Sequence, residues 1–207
     1  MMLSYNKKLF IKYNGDRMNT VSYLDNIASY IKEKESWYLK RFGYAACELW
    51  FCVEACNILN FDHPLYSFEK TGSGKFCFNE DDRRDITVYN KDQTIDSHIE
   101  VKLLYPSYAT SKTNKKINEV FDKFDTYKIK GNEIREGWFI LIWSSSNRGK
   151  YKEGESDKFF YDAIENIKNR NINNSISEYS ILSILDNSFK WRSYDKEIIV
   201  KAIKINF

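Results

Sequence analysis

Residues 98–104 read His-Ile-Glu-Val-Lys-Leu-Leu, and residues 83–90, just upstream, read Arg-Arg-Asp-Ile-Thr-Val-Tyr-Asn. Both have the β-branched and aromatic content of strands. In a strand successive side chains alternate between faces, so Glu100 and Lys102 point one way while Ile99, Val101 and Leu103 point the other. An acid and a base inside an apolar, half-buried strand are costly unless something fixes them there. Asp85 opens the preceding strand and adds a second carboxylate beside them. How this chain folds depends on what those three charges are for.

The surrounding pattern places them in a mixed α/β domain. Residues 20–41 read as an amphipathic helix with Thr20 or Ser22 at its N-cap. After Gly43 a second helix, apolar nearly all round, runs to about Asn60 and is expected to be buried. Turn signals at Asp62–Pro64 and Thr71–Gly74 then introduce three short strands, at 75–78, 85–89 and 98–104. A charged amphipathic helix follows over 111–128, then an apolar strand over 137–146 and a helix near 157–169. Strand-like segments at 176–185 and 197–205 close the sequence. The core order is α-β-β-β-α-β. With 207 residues, no internal repeat, two prolines and no Gly/Ser-rich linker, one domain over 1–207 is the simplest reading.

Composition narrows the function classes. A hydrophobic fraction of 43% and an aromatic fraction of 16% describe a globular chain. No run of eighteen apolar residues suits a membrane span, and Met1–Phe10 lacks an apolar stretch of signal-peptide length, so an intracellular, cytoplasmic protein with no membrane contact is expected. Cys47, Cys52, Cys56 and Cys77 form no CxxC pair, and the only histidines are His63 and His98. Reduced core cysteines are therefore expected rather than a zinc site. The formal charge of +3 is too small to argue for nucleic acid by itself. Thr71–Lys75 mimics a phosphate loop but lacks its spacing and leads into a strand, so it reads as a tight turn. Glu80, Asp81 and Asp82 read as a solvated turn.

Two carboxylates supply hard oxygen ligands for Mg²⁺, which also takes substrate phosphates. A lysine beside them can hold the attacking water and balance charge that grows on a phosphate. Asp85, then fourteen residues, then Glu100-Val101-Lys102, set in an α-β-β-β-α-β order, resembles the PD-(D/E)xK nucleases, which include many restriction endonucleases. The resemblance covers about 44–144, with Arg84 standing where the family name puts proline. It implies a restriction-endonuclease-like sheet flanked by helices, with Asp85 and Glu100 as Mg²⁺ (or Mn²⁺) ligands and Lys102 acting on the water. It also implies a glutamate on the preceding helix that completes the metal shell: Glu48 or Glu54, with Glu48 favoured because it shares a face with Cys52, Ala55 and Leu59.

The implied activity is a Mg²⁺-dependent endonuclease on DNA, most simply double-stranded, with a type II restriction enzyme fitting the size and a homodimer favoured by cutting both strands. The alternatives are an RNA endonuclease of the same fold, cap-snatching types included, and a catalytically silent nucleic-acid-binding module. Phosphate contacts are expected from Arg83 and Arg84 beside Asp85, from Lys112, Lys115 and Lys116 on the following helix, and from Arg148 in the polar loop after the next strand. Lys123, Lys128 and Lys130 lie on or just beyond the same helix. His63 and His98 read as structural or exposed rather than catalytic, with contact between His98 and the site, two residues before Glu100 on the same face, as the alternative.

Overall fold

The computed structural model describes residues 22–44, 48–81, 84–126, 131, 133–171, 178–191 and 194–207. The expected helix over 20–41 is two helices, α1 (Tyr23–Glu33) and α2 (Glu35–Tyr44), because Lys34 leaves helical geometry at φ −104° and ψ 28°. Ser22 occupies the N-cap but makes no side-chain capping bond. Next comes α3 (Glu48–Asn57), which widens into a π-helical turn at Ile58–Asp62. A four-residue helix, α4 (Phe68–Thr71), ends on Gly72, whose φ of +60° is the left-handed C-cap geometry that glycine adopts freely. The Thr71–Lys75 segment is accordingly a helix end and turn that leads into a strand.

Among the described residues six strands make one mixed sheet: β1 (Phe76–Asn79), β2 (Ile86–Tyr89), β3 (Ile95–Leu104), β4 (Ile134–Ser144), β5 (Glu178–Trp191) and β6 (Tyr194–Asn206), in the order β1-β2-β3-β4-β6-β5. Only β3 and β4 run parallel. Their connection carries α5 (Thr110–Thr126), as a parallel pair requires a long crossover. The last helix, α6 (Ser156–Asn171), lies between β4 and β5 in the chain. The chain is therefore a mixed α/β protein, and its order over 48–144 is α-β-β-β-α-β with α4 inserted.

Both faces of the sheet are covered. On the first, Ile86, Val88, Ile99, Val101, Leu103, Trp138 and Ile140 pack with Leu24, Ile27, Ile31, Phe51, Cys52 and Ile58. On the second, Leu104, Phe139, Leu141 and Trp143 pack with Ile117, Val120, Phe121 and Phe124 of α5 and Phe159, Phe160 and Ala163 of α6. Residues 97–104 of β3 are buried without interruption. The strand face read from the sequence as half-buried is thus fully enclosed, because helices cover both sides. The helix expected to be apolar all round is only partly buried: Phe51, Cys52, Ala55 and Cys56 face inward, while Leu49 and Val53 are 50% and 39% exposed.

The free edge of β1 is sealed. Asn60, on the π-helical turn, accepts from the Cys77 N–H at 2.9 Å and donates to the Cys77 carbonyl at 2.8 Å. Those outward-facing backbone groups are what a foreign strand would pair with, so the side chain blocks edge-to-edge association. Cys52, Cys56 and Cys77 are buried free thiols.

Candidate active site

The site forms where β2 runs out. Pairing between β2 and β3 ends at Ile86↔Ile99, so residues 100–104 of β3 are paired only with β4. Two carboxylates occupy the position of the missing strand. Asp85 Oδ2 accepts from the Val101 N–H at 2.7 Å, and Glu48 Oε2 accepts from the Leu103 N–H at 3.4 Å. Glu48 reaches β3 from the first turn of α3, where its charge also suits the helix N-terminus.

Glu100 and Lys102 stand on the face covered by α5. Lys102 Nζ donates to Glu48 Oε1 at 2.6 Å and lies 3.6 Å from Asp85 Oδ2. Lys116 Nζ, from α5, bonds Glu48 Oε2 at 3.0 Å. Glu100 is fully buried; Arg84 Nη1 approaches its Oε1 at 3.3 Å, and Lys123 Nζ bonds its Oε2. Opposite Glu100 on β4 is Gly137. A Cβ there would sit 2.8 Å from Val120 Cγ1, so the glycine lets α5 close onto the sheet and brings Lys123 within reach of Glu100. Arg84 packs its guanidinium over the Phe124 ring at 5.5 Å. Three carboxylates and four cations thus converge from α3, β3, α5 and the turn before β2.

Burial drives the electrostatics. Loss of hydration pushes the Glu100 carboxyl up to about 6; the Asp85 charge adds to this, while Lys123 and Arg84 oppose it. Burial would depress Lys102, but Asp85, Glu48 and Glu100 outweigh it and hold the ammonium above its ordinary value. Burial likewise raises Glu48, yet the Lys102 and Lys116 ammoniums outweigh that and hold it below the usual carboxylate range. Lys102 therefore stays charged at neutral pH. A buried carboxylate alone does not make a site: Glu136 is also buried, but its Oε2 accepts from Trp138 Nε1 at 2.7 Å and Lys204 lies 3.6 Å away.

Of the residues singled out in the sequence, Asp85, Glu100, Lys102 and Glu48 come together. Glu54 does not; its Oε1 accepts from the Tyr38 hydroxyl at 2.6 Å. Arg84 is buried against Glu100 rather than presented to solvent. Lys112 and Lys115 are exposed on α5, with Lys112 over the Tyr108 ring at 4.1 Å. Arg148 lies in the loop after β4, 3.5 Å from Glu153. Arg83, Asp82, Cys47, Lys128 and Lys130 lie outside the described residues. His98 is buried opposite Thr87. His63 is structural: its Nδ1 accepts from the Leu65 and Tyr66 amides, which leaves Nε2 to donate to Ser29 Oγ.

Lys116 and Lys123 read from the sequence only as bases on the helix after the site; their pairing with Glu48 and Glu100 is not foreseen there. The usable signal is position: Lys116 and Lys123 each adjoin the apolar stripe of α5 (Ile117, Val120, Phe124), where a side chain meets the sheet rather than open solvent. Among the described residues no group of three or more His, Cys, Asp or Glu side chains is placed to hold a metal ion. No helix among them is long and apolar enough to cross a membrane. Comparison with family models, with curated proteins and with solved structures returns no match for this chain.

Proposed function

We propose that this chain is a Mg²⁺-dependent endonuclease of the restriction-endonuclease-like type, hydrolysing phosphodiester bonds in DNA. The observation that carries the proposal is the meeting of Asp85, Glu100, Lys102 and Glu48 where β3 has run past the end of β2 and keeps only β4 as a strand neighbour. Neither core requires ionisable groups there, and apolar residues would pack the same position at lower cost.

The donor set suits Mg²⁺. Its carboxylate oxygens are hard ligands, and Mg²⁺ is commonly held by one or two carboxylates together with substrate phosphates, so Asp85 and Glu100, with Glu48 beside them, would supply the protein's share of the ligands. Bound there, the ion would act as a Lewis acid on the phosphate. The remaining work falls to the chain. Arg84 holds Glu100 in place from the buried side. Lys102, kept charged by three carboxylates, holds a water by donating to its oxygen and offsets negative charge that grows on the phosphate; it is not the proton acceptor. Exposed Lys112 and Lys115, and Arg148 in the neighbouring loop, are the backbone-phosphate contacts. Duplex cleavage by a homodimer, as in a type II restriction enzyme, is the specific role proposed.

A second reading has an observation of its own. Asp85 and Glu48 cap the Val101 and Leu103 amides, so the same carboxylates could serve only to seal the β3 edge of a silent nucleic-acid-binding module. Purified protein incubated with long phage DNA, short duplexes, single-stranded DNA and RNA, with and without Mg²⁺ or Mn²⁺, separates the two. Metal-dependent cleavage that is lost in Asp85→Asn supports the nuclease. Binding without cleavage under every condition supports the module, and preferential cleavage of RNA moves the substrate class.

A further inference from the structure

The four cations of the site fall into two kinds. Arg84 and Lys102 are buried, with side chains 7% and 8% exposed, whereas Lys116 and Lys123 reach in from the surface of α5 with side chains 21% and 39% exposed. Each kind serves both glutamates. Glu100 has Arg84 on one oxygen and Lys123 on the other; Glu48 has Lys102 on one and Lys116 on the other. Thus each glutamate holds one enclosed partner and one that can swing back to water. Lys116 and Lys123 come from the partly exposed surface of α5, so a cation that replaces their charge returns each ammonium to water and leaves neither glutamate unpaired.

We propose that Lys116 and Lys123 are exchangeable counter-ions. A divalent cation entering between the carboxylates displaces both ammoniums, and the freed lysines turn outward to take substrate phosphates. This inference rests on the nuclease reading of the same carboxylates. The charge bookkeeping favours it, because replacing two ammoniums by one divalent ion leaves the net charge of the cluster unchanged. The geometry favours it too. Lys116 and Lys123 are seven residues apart on one helix, about 10 Å along its axis, so once released they present two cations on the α5 side of the site. Asp85 needs no such exchange: its Oδ2 accepts from the Val101 N–H and faces Lys102, which is not one of the α5 lysines. Metal binding and nucleic-acid binding are thereby coupled through the same two side chains, and the coupling must be reciprocal.

The test is the reactivity of individual lysines toward an amine-acylating reagent, read by peptide mass spectrometry on the full chain with and without saturating Mn²⁺. Binding of Mn²⁺ is followed in parallel by the loss of the free-ion electron paramagnetic resonance signal. With Mn²⁺ bound, Lys116 and Lys123 should be modified several-fold faster, exposed Lys112 and Lys115 should be unchanged, and Lys102 should stay protected. In Lys116→Met/Lys123→Met the affinity for Mn²⁺ should rise about tenfold, since its competitors are gone, while Mn²⁺ should no longer strengthen duplex binding. Bound Mn²⁺ with unchanged protection of Lys116 and Lys123 overturns the exchange and leaves the nuclease reading standing. Failure of Mn²⁺ to bind at all overturns both.

Discussion

Arg84→Met tests whether the site's electrostatics are as the geometry implies. The substitution keeps an unbranched apolar stem over Phe124 and removes one of the two cations on fully buried Glu100. Breaking a buried ion pair costs about 3–5 kcal/mol because the remaining charge is left unpaired. Here Lys123 stays and the carboxyl can take up a proton, so the expected loss is about 3 kcal/mol at pH 8. The sign of the pH dependence follows from Glu100, whose folded value of about 6 lies above the ordinary 4.5. Between those values the folded protein keeps a proton that the unfolded chain has lost, so stability from this group falls as pH rises through the window and levels off above it. Removing Arg84 lifts the folded value further and extends the fall to higher pH. At pH 5 the carboxyl is mostly protonated in either protein, and the loss should shrink to about 1 kcal/mol. Urea unfolding followed by the fluorescence of buried Trp138 and Trp143 reads both values. An equal loss at pH 5 and pH 8 would refute the reasoning, because Arg84 would then act through packing alone. In a Glu100→Gln background the pH dependence of the Arg84→Met effect should vanish.

Asn60→Ala leaves the Cys77 N–H and carbonyl unpaired, which should cost about 2–3 kcal/mol and, by opening the β1 edge, give concentration-dependent association in light scattering. A variant as stable and monodisperse as wild type would show that Asn60 does not guard the edge. Glu48→Gln should lower Mg²⁺-dependent cleavage by about 10- to 100-fold, because a charged group beside Lys102 is lost. Glu54→Gln should leave cleavage within about twofold, since the amide oxygen can still accept from Tyr38. Steady-state rates on one DNA substrate compare the two, and equal losses would remove Glu48 from the site.

The element order was legible because the hydrophobic period switches between two and 3.6 along the chain, and because Gly72 and the turn residues around it punctuate it. The oddity of Glu100 and Lys102 was legible for the same reason: a charge violates the strand pattern only where the pattern is strong. What lay hidden depends on partners far apart in sequence. Helix periodicity favours Glu48 over Glu54 only by its shared face with Cys52, Ala55 and Leu59; the first-turn position of Glu48 beside β3, and the Tyr38 hydroxyl that bonds Glu54, decide between them. Lys123 reads as one of several helix lysines until Gly137 is seen to let α5 close on Glu100. Arg84 reads as a surface base because neighbouring arginines and acids look solvated, yet it is enclosed between Glu100 and Phe124. The break at Lys34 and the solvent-facing Leu49 and Val53 carry no sequence mark, since helix propensity continues through the first and an apolar surface residue looks like a core one.

The central claim is that Asp85, Glu100 and Lys102 together cleave phosphodiester bonds, and the most direct measurement is single-turnover cleavage of DNA in Mg²⁺ by wild type and Lys102→Met at matched saturation. The account predicts nucleic-acid affinity close to wild type and a cleavage rate lower by a hundredfold or more, on the order expected for loss of a group that stabilises developing charge. Cleavage by Lys102→Met at the wild-type rate would contradict it.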